Sequence, residues 1–288
     1  MRPVAVVTDS TASMPTGLVE AAGVVVVPLD VVIDDVAHRE GVDVSPQQVV
    51  EALRAGSTVR TAHPGPEIFA RTYARVAARG AREIVSVHLS GTLSGTVTAA
   101  ELAAQTSGVP VHVVDSRTVG MALGMSVLSA VREAERQLVT GARVDGAGVA
   151  RAAERRAATT SVRFTVDTLE HLRAGGRLGP VAAALGTVLG LRPVLAVRDG
   201  AIEVAEKVRT SARARDRVIE LAVDDARRRG ACELAVHHLG DPALAATVVE
   251  RLRSACGPGV RAVHAAEISA VIGAHAGPGL LALVVADA

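Results

Sequence analysis

The stretch Ile84-Val85-Ser86-Val87-His88-Leu89-Ser90-Gly91-Thr92-Leu93-Ser94-Gly95-Thr96 decides how the rest of the chain is read. Its first part is a mainly apolar run. The run breaks into glycines and small hydroxyl residues, after which 97–105 follows a helical pattern. This predicts a buried strand, a tight turn and a helix N-terminus, with Ser90, Thr92, Ser94 and Thr96 on offer as caps. Backbone N–H groups and the helix dipole favour an anion at such a place. The turn is therefore expected to hold a small acidic group.

Working outward, two more strands end the same way. Val4-Ala5-Val6-Val7-Thr8 runs into Asp9-Ser10-Thr11, and Val111-His112-Val113-Val114 runs into Asp115-Ser116. Helices are predicted over 14–22, 45–55, 67–79, 120–139 and 145–158, with further strands at 24–29 and 31–33. Alternation of this kind predicts an α/β domain whose mainly parallel sheet is flanked by helices. Ligands bind beyond the carboxyl ends of such strands, which puts the three polar turns on one edge. From 161 the pattern changes. A strand at 161–166, a helix at 168–174, an apolar helix at 181–189 and a hairpin turning at Asp199-Gly200 come first. A charged helix at 211–229 and a strand, helix, strand, strand series follow. The expectation is a second α/β domain with a mixed sheet, giving domains 1–156 and 157–288.

Composition narrows the function. With 31 basic and 30 acidic residues the net charge is +1, so a nucleic-acid partner is not expected. Two cysteines point to a reducing compartment without a disulfide framework. Met1-Arg2-Pro3-Val4 leads straight into a strand pattern, and no apolar run nears the roughly 18–20 residues that span a bilayer. A cytoplasmic protein with no stable membrane insertion is expected. Phe69, Tyr73 and Phe164 are the only aromatic residues. Recognition by aromatic stacking is thus disfavoured. Walls of Ala, Val and Leu suit a flexible aliphatic ligand.

The dinucleotide and phosphate-loop glycine signatures and the H-E-x-x-H zinc motif are absent. His237-His238 are neighbours on a predicted strand, one facing in and one out, and make a poor ligand pair. No metal and no cofactor are expected. Ser94, within Gly91-Thr92-Leu93-Ser94-Gly95, lacks the spacing of a hydrolase nucleophile elbow; it reads as a helix cap or an anion ligand. Thr61, ahead of the rigid Pro64-Gly65-Pro66, reads as a turn residue or a ligand. His275 lies in Gly273-Ala274-His275-Ala276-Gly277-Pro278-Gly279, a loop whose small residues let another group approach the backbone. It reads as a surface residue or a donor to a carboxylate. Arg177 and Arg209 read as solvated arginines.

An ordered set of motifs resembles the DegV family of fatty-acid-binding proteins over about residues 3–286. The set is Val7-Thr8-Asp9-Ser10-Thr11, Thr61-x-x-Pro64, Leu93-Ser94-Gly95-Thr96 and Val114-Asp115-Ser116. It continues through Asp167-Thr168-Leu169-Glu170-x-Leu172, Gly175-Gly176-Arg177, Leu191-Arg192-Pro193-Val194-Leu195, Glu206-Lys207-Val208-Arg209-Thr210 and Ile272 to Gly279. The resemblance implies a non-catalytic, two-domain lipid-binding protein with one long-chain fatty acid in a buried apolar tunnel. Thr61, Ser94 and His275 fall on the family's carboxylate-binding positions, with Gly95 beside them. Some members are the binding subunit of a bacterial fatty acid kinase. They present the acid to a separate ATP-dependent catalytic protein that makes acyl phosphate, and Arg177 and Arg209 match positions implicated in docking it. One turn departs from the family pattern: Thr-Ser-Gln-Pro is here Thr61-Ala62-His63-Pro64. The lost hydroxyl removes a hydrogen bond worth about 0.5–1.5 kcal/mol.

Physical chemistry agrees with such a ligand. Burying about fourteen methylenes gains on the order of 11 kcal/mol at ~0.8 kcal/mol each. A buried carboxylate must find donors, which hydroxyls, a backbone N–H and an imidazole supply. The alternative is a serine hydrolase acting on acyl esters, with Ser94 as nucleophile, His275 as base and Asp9 or Asp115 as orienter.

Overall fold

Strand alternation builds the first sheet. In a computed structural model describing residues 2–178 and 191–288, β1 (Val4–Asp9) sends Val4 and Val6 to one face and Val7 to the other. The chain continues through α1 (Thr16–Ala22), β2 (Val25–Val27), β3 (Asp30–Ile33), β4 (Val36–Arg39), α2 (Pro46–Arg54) and β5 (Val59–Ala62). Next come α3 (Pro66–Ala78), β6 (Glu83–His88), α4 (Thr96–Ala104), β7 (Val111–Asp115), α5 (Met121–Thr140) and α6 (Gly146–Thr159). The remainder is β8 (Ser161–Thr165), α7 (Glu170–Ala174), β9 (Arg192–Arg198), β10 (Ala201–Val208) and α8 (Ser211–Arg229). It closes with β11 (Cys232–His238), α9 (Pro242–Cys256), β12 (Val260–Glu267), α10 (Ala270–Ala276) and β13 (Leu281–Asp287). The apolar helix expected over 181–189 lies outside the described residues.

Two compact units result, Met1–Asp30 with Ala62–Ala158, and Val31–Thr61 with Thr159–Ala288. The first has a four-stranded sheet in the order β2-β1-β6-β7, parallel throughout. Leu123, Val127 and Ala130 of α5 and Val149 and Ala153 of α6 cover one face, on Val4, Val6, Val85 and Val87. Phe69, Tyr73 and Val76 of α3 and Ala99, Ala100 and Ala103 of α4 cover the other, on Val7 and Ile84. Parallel strands bring the ends of β1, β6 and β7 to one edge, as expected.

The second unit has a six-stranded mixed sheet in the order β10-β9-β8-β13-β11-β12, in which β11 and β12 pair in parallel and the other neighbouring strands antiparallel. Asp199 (φ 49°) and Gly200 (φ 85°) turn the β9–β10 hairpin in the left-handed region its twist favours. Helices α8 and α9 lay Val218, Ala222, Val248 and Leu252 on Leu234, Val236, Leu281 and Leu283.

This division differs from the expected 1–156 and 157–288. Residues 31–61, expected in the first domain, group with the second unit, and the later boundary falls after Ala158. The excursion forms its own small sheet, β4-β3-β5. Its helix α2 starts with a Ser45–Gln48 capping box, buries Val49 and Val50, and packs on α10. An amphipathic pattern shows that a face will be buried, not which distant element will cover it.

Candidate functional site

In the first unit the site is a turn held from behind. Ser90 N–H donates to Thr118 O (2.9 Å), and Ser90 O accepts from Leu93 N–H (3.0 Å) and Ser94 N–H (3.1 Å). Thr92 N–H reaches Ser90 Oγ (3.2 Å). Helix α4 then begins at Thr96 with Gly95 as its cap residue and no side-chain cap. The expected capping by the four hydroxyl residues is therefore not what is built. Ser90 closes the turn, and Ser94 Oγ pairs with Thr96 Oγ1 at 2.9 Å. The first turn of α4 keeps its dipole end uncapped by side chains, with half-buried Ser94 beside it. The ring of His63 lies over Gly95, where an added Cβ would stand 3.0 Å from Cε1 and 3.1 Å from Nε2.

In the second unit the site centres on α10. His275 is in the last turn of this helix, not in a loop as expected; Ser269 caps the start by accepting from Ile272 N–H. The excursion holds the helix at both ends. Glu40 Oε1 accepts from Val271 N–H (3.2 Å), and Thr61, on β5, pairs its Oγ1 with His275 Nε2 at 2.7 Å. Absence of bulk holds the imidazole on its other side. A Cβ on Gly175 would collide with His275 Nδ1, and one on Gly277 with the His171 ring. Burial, helped by the charge of Arg177, pushes His275 down to about 4. The ring is thus neutral at pH 7, with one N–H to give. Arg177 itself donates from Nη1 to Gly175 O (2.6 Å). Exposed Arg209 lies in the β10–α8 connection, beside the Thr210 that caps α8.

The other sequence candidates resolve differently. Both His237 and His238 are buried, against the expected alternation, because β11 is an interior strand covered on its two faces. His237 Nδ1–H donates to Ala266 O (3.0 Å), and burial pushes His237 down to about 4. Among the described residues no group of three or more His, Cys, Asp or Glu is placed to hold a metal. Asp9 accepts from Thr11, His88 and Leu89, and Asp115 from Gly91 and Arg117. Sequence reasoning missed Glu40, Gly175 as a space-maker, and the role of His88. The one available signal was the Gly175-Gly176-Arg177 motif.

A model of the DegV family, described as an uncharacterised protein family, matches residues 3–288. This chain belongs to the DegV family. A DegV domain-containing protein of Streptomyces coelicolor is 48% identical over 287 residues, covering 99% of both chains. One from Deinococcus radiodurans is 36% identical over 282 residues, covering 96% of this chain and 95% of the relative. A DegV family protein of Thermus thermophilus, solved for its fatty acid binding, superposes with a TM-score of 0.89 at 36% identity over the whole of both chains. DegV of Bacillus subtilis, described as a fatty acid binding protein, gives 0.89 at 29% identity with the same coverage. The DegV fold is thus shared end to end. No helix among the described residues is long and apolar enough to cross a membrane.

Proposed function

We propose that this DegV chain is a carrier that binds one long-chain fatty acid and does no chemistry of its own. Its apolar tunnel takes the acyl chain, and Thr61, Ser94 and His275 hold the carboxylate, with Gly95 at the uncapped start of α4. The observation that carries this reading is the 2.7 Å Thr61–His275 pair. A neutral imidazole and a hydroxyl, bonded to each other and half-buried, keep one hydrogen between them to donate to a carboxylate leaving water. The Thermus and Bacillus relatives, both fatty acid binders, support the ligand class. The carrier acts in the cytoplasm, where its free Cys232 and Cys256 stay reduced. It presents the acid to a separate ATP-dependent kinase for acyl-phosphate formation, with Arg177 and Arg209 on the docking face.

The hydrolase alternative has less support. Asp9 and Asp115 are engaged with backbone and His88, Ser94 with Thr96, and His275 with Thr61. Mass spectrometry of the denatured, purified protein tests the carrier reading and is expected to release a fatty acid. A clean protein that also ignores added palmitate and oleate would overturn it.

A further inference from the structure

Behind the Ser90–Thr96 turn runs a polar chain that head-group binding does not touch. Tyr73, Ser86, His88 and Asp9 are each 1% exposed or less. Tyr73 Oη–H donates to Ser86 Oγ (2.9 Å), Ser86 Oγ meets His88 Nε2 (2.7 Å), and His88 Nδ1 meets Asp9 Oδ2 (2.9 Å). Counting donors assigns the tautomer. A carboxylate can only accept, so the ring proton sits on Nδ1, and Nε2 accepts from Ser86 O–H. With the proton on Nε2 instead, that nitrogen and the Ser86 hydroxyl would both present hydrogens where water does not reach. Burial pushes Tyr73 up to about 12, keeping its proton in place at the far end.

The chain ends on a hub. Asp9 Oδ2 also accepts from Leu89 N–H (3.1 Å), and Asp9 Oδ1 accepts from Thr11 N–H (3.0 Å) and Thr11 Oγ1–H (2.5 Å). One carboxylate therefore joins the end of β1, the end of β6 and the stem of the turn. Leu89 is followed by Ser90, whose carbonyl holds the N–H groups of Leu93 and Ser94. We propose that Asp9 is a positioning residue for the carboxylate-binding turn. Through Leu89 N–H and His88 it fixes where Ser90, and with it Ser94, stands, without touching the ligand. The inference rests on the reading of Ser94 as a carboxylate ligand.

Asp9→Asn in the full chain tests it. The new amide satisfies Thr11 with its oxygen and turns an NH2 toward the N–H groups of His88 and Leu89. Oleate affinity, read by displacement of a fluorescent fatty acid, is expected to fall about tenfold or more. Amide hydrogen exchange over 89–94 is expected to rise by a similar factor, with the second unit unaffected. Val149→Ala, a cavity in the same unit's core away from this chain, is expected to lower stability but leave affinity within about twofold. His88→Gln keeps the Leu89–Asp9 bond; it is expected to give a smaller loss of affinity and carries the test if Asp9→Asn does not fold. Wild-type affinity and exchange in the Asp9 variant, or an equal affinity loss in Val149→Ala, overturns the proposal. Should wild-type protein take up no oleate, the ligand reading fails on its own. Exchange over 89–94 then still decides whether Asp9 holds the turn.

Discussion

The turn carrying Ser94 and the helix end carrying His275 are built by opposite means. Ser94 stands on a turn positioned by added polar partners: Thr118, Asp9 and Asp115 each take or give a hydrogen bond at its stem. His275 stands where bulk has been removed, its ring filling the space a side chain at Gly175 would need. Its outer nitrogen is held by Thr61, from an excursion far away in sequence. The two designs fail differently. A turn held by hydrogen bonds yields when a partner is lost, whereas a ring held by close approach yields when an atom is added.

Acid gives the largest expected effect and separates the regions. His275 and His237, both in the second unit, are pushed down to about 4 by burial. The unfolded chain, with ordinary values of about 6.5, takes up protons that the folded chain refuses. Their contribution is therefore fully present above about pH 6.5 and is lost as pH falls toward 4. For His237, 1% exposed, the loss is on the order of 3 kcal/mol; for half-buried His275 it is smaller. Urea unfolding from pH 7.5 to 4.5 should show the fall, and His275→Gln should make it shallower while Ser94→Ala leaves the slope unchanged. Asp225, whose carboxyl stays below its usual range through its Ser161 and arginine partners against the opposing effect of burial, keeps its contribution through this window and loses it only at still lower pH. A slope untouched by His275→Gln would place the acid response elsewhere.

Next in size is Gly175→Ala. The backbone there (φ −74°, ψ −8°) suits alanine, so any cost comes from the collision with His275. Overpacking of this kind costs about 1–3 kcal/mol, and the displaced imidazole should lower oleate affinity about tenfold. Gly176→Ala is the counterpart. Gly176 has φ +70° and open space around its Cα, so alanine should strain the backbone but leave His275 in place and affinity near wild type. Equal affinities in the two variants would break the distinction between close approach and backbone strain, and thermal unfolding with oleate displacement measures both sides of it.

These contrasts show what the sequence could disclose. The Ser90–Thr96 turn was legible because its causes are local: an apolar run, a break and a helical pattern lie within a few residues. The parallel first sheet and the mixed second sheet followed from alternation of the same kind. Thr61 and His275, by contrast, are 214 positions apart, and their pairing depends on residues 31–61 joining the second unit. No periodicity carries that information, and only the family resemblance named the two residues together. Glu40 was invisible for the same reason, since its acceptor role depends on where α10 comes to lie. The buried Asp9–His88 pair was hidden differently. His88 sits inside an apolar run, where its burial is readable but its partner on β1 is not.

Ser94→Ala tests the polar side of the comparison. It removes a hydroxyl whose intramolecular partner is Thr96 Oγ1, itself buried. A lost hydrogen bond of about 0.5–1.5 kcal/mol corresponds to roughly two- to tenfold weaker oleate binding. Stability should fall by about 1 kcal/mol because buried Thr96 Oγ1 loses this partner, while the Ser94 N–H keeps its bond to Ser90 O. Ester hydrolysis should be absent in wild type and variant alike. Turnover that disappears in Ser94→Ala would instead make Ser94 a nucleophile.

The smallest effect is expected at Arg209, which is why it is the cleanest test of partner docking. Arg177 is entangled with the site: its guanidinium bonds Gly175 O and its charge helps keep His275 neutral. Arg177→Ala would therefore weaken ligand binding and docking together, leaving the two inseparable. Arg209 is exposed on the β10–α8 connection, and the cap on α8 is made by Thr210 rather than by its side chain. Arg209→Ala should shift stability by less than about 0.5 kcal/mol and leave oleate affinity unchanged. If the proposed kinase partner docks here, only acyl-phosphate formation with it should fall, more steeply at low salt, as expected for a screened surface charge. Because ligand loading in this variant equals wild type, a drop in acyl phosphate can arise only from the encounter between the two proteins, and an unchanged rate removes Arg209 from the docking face.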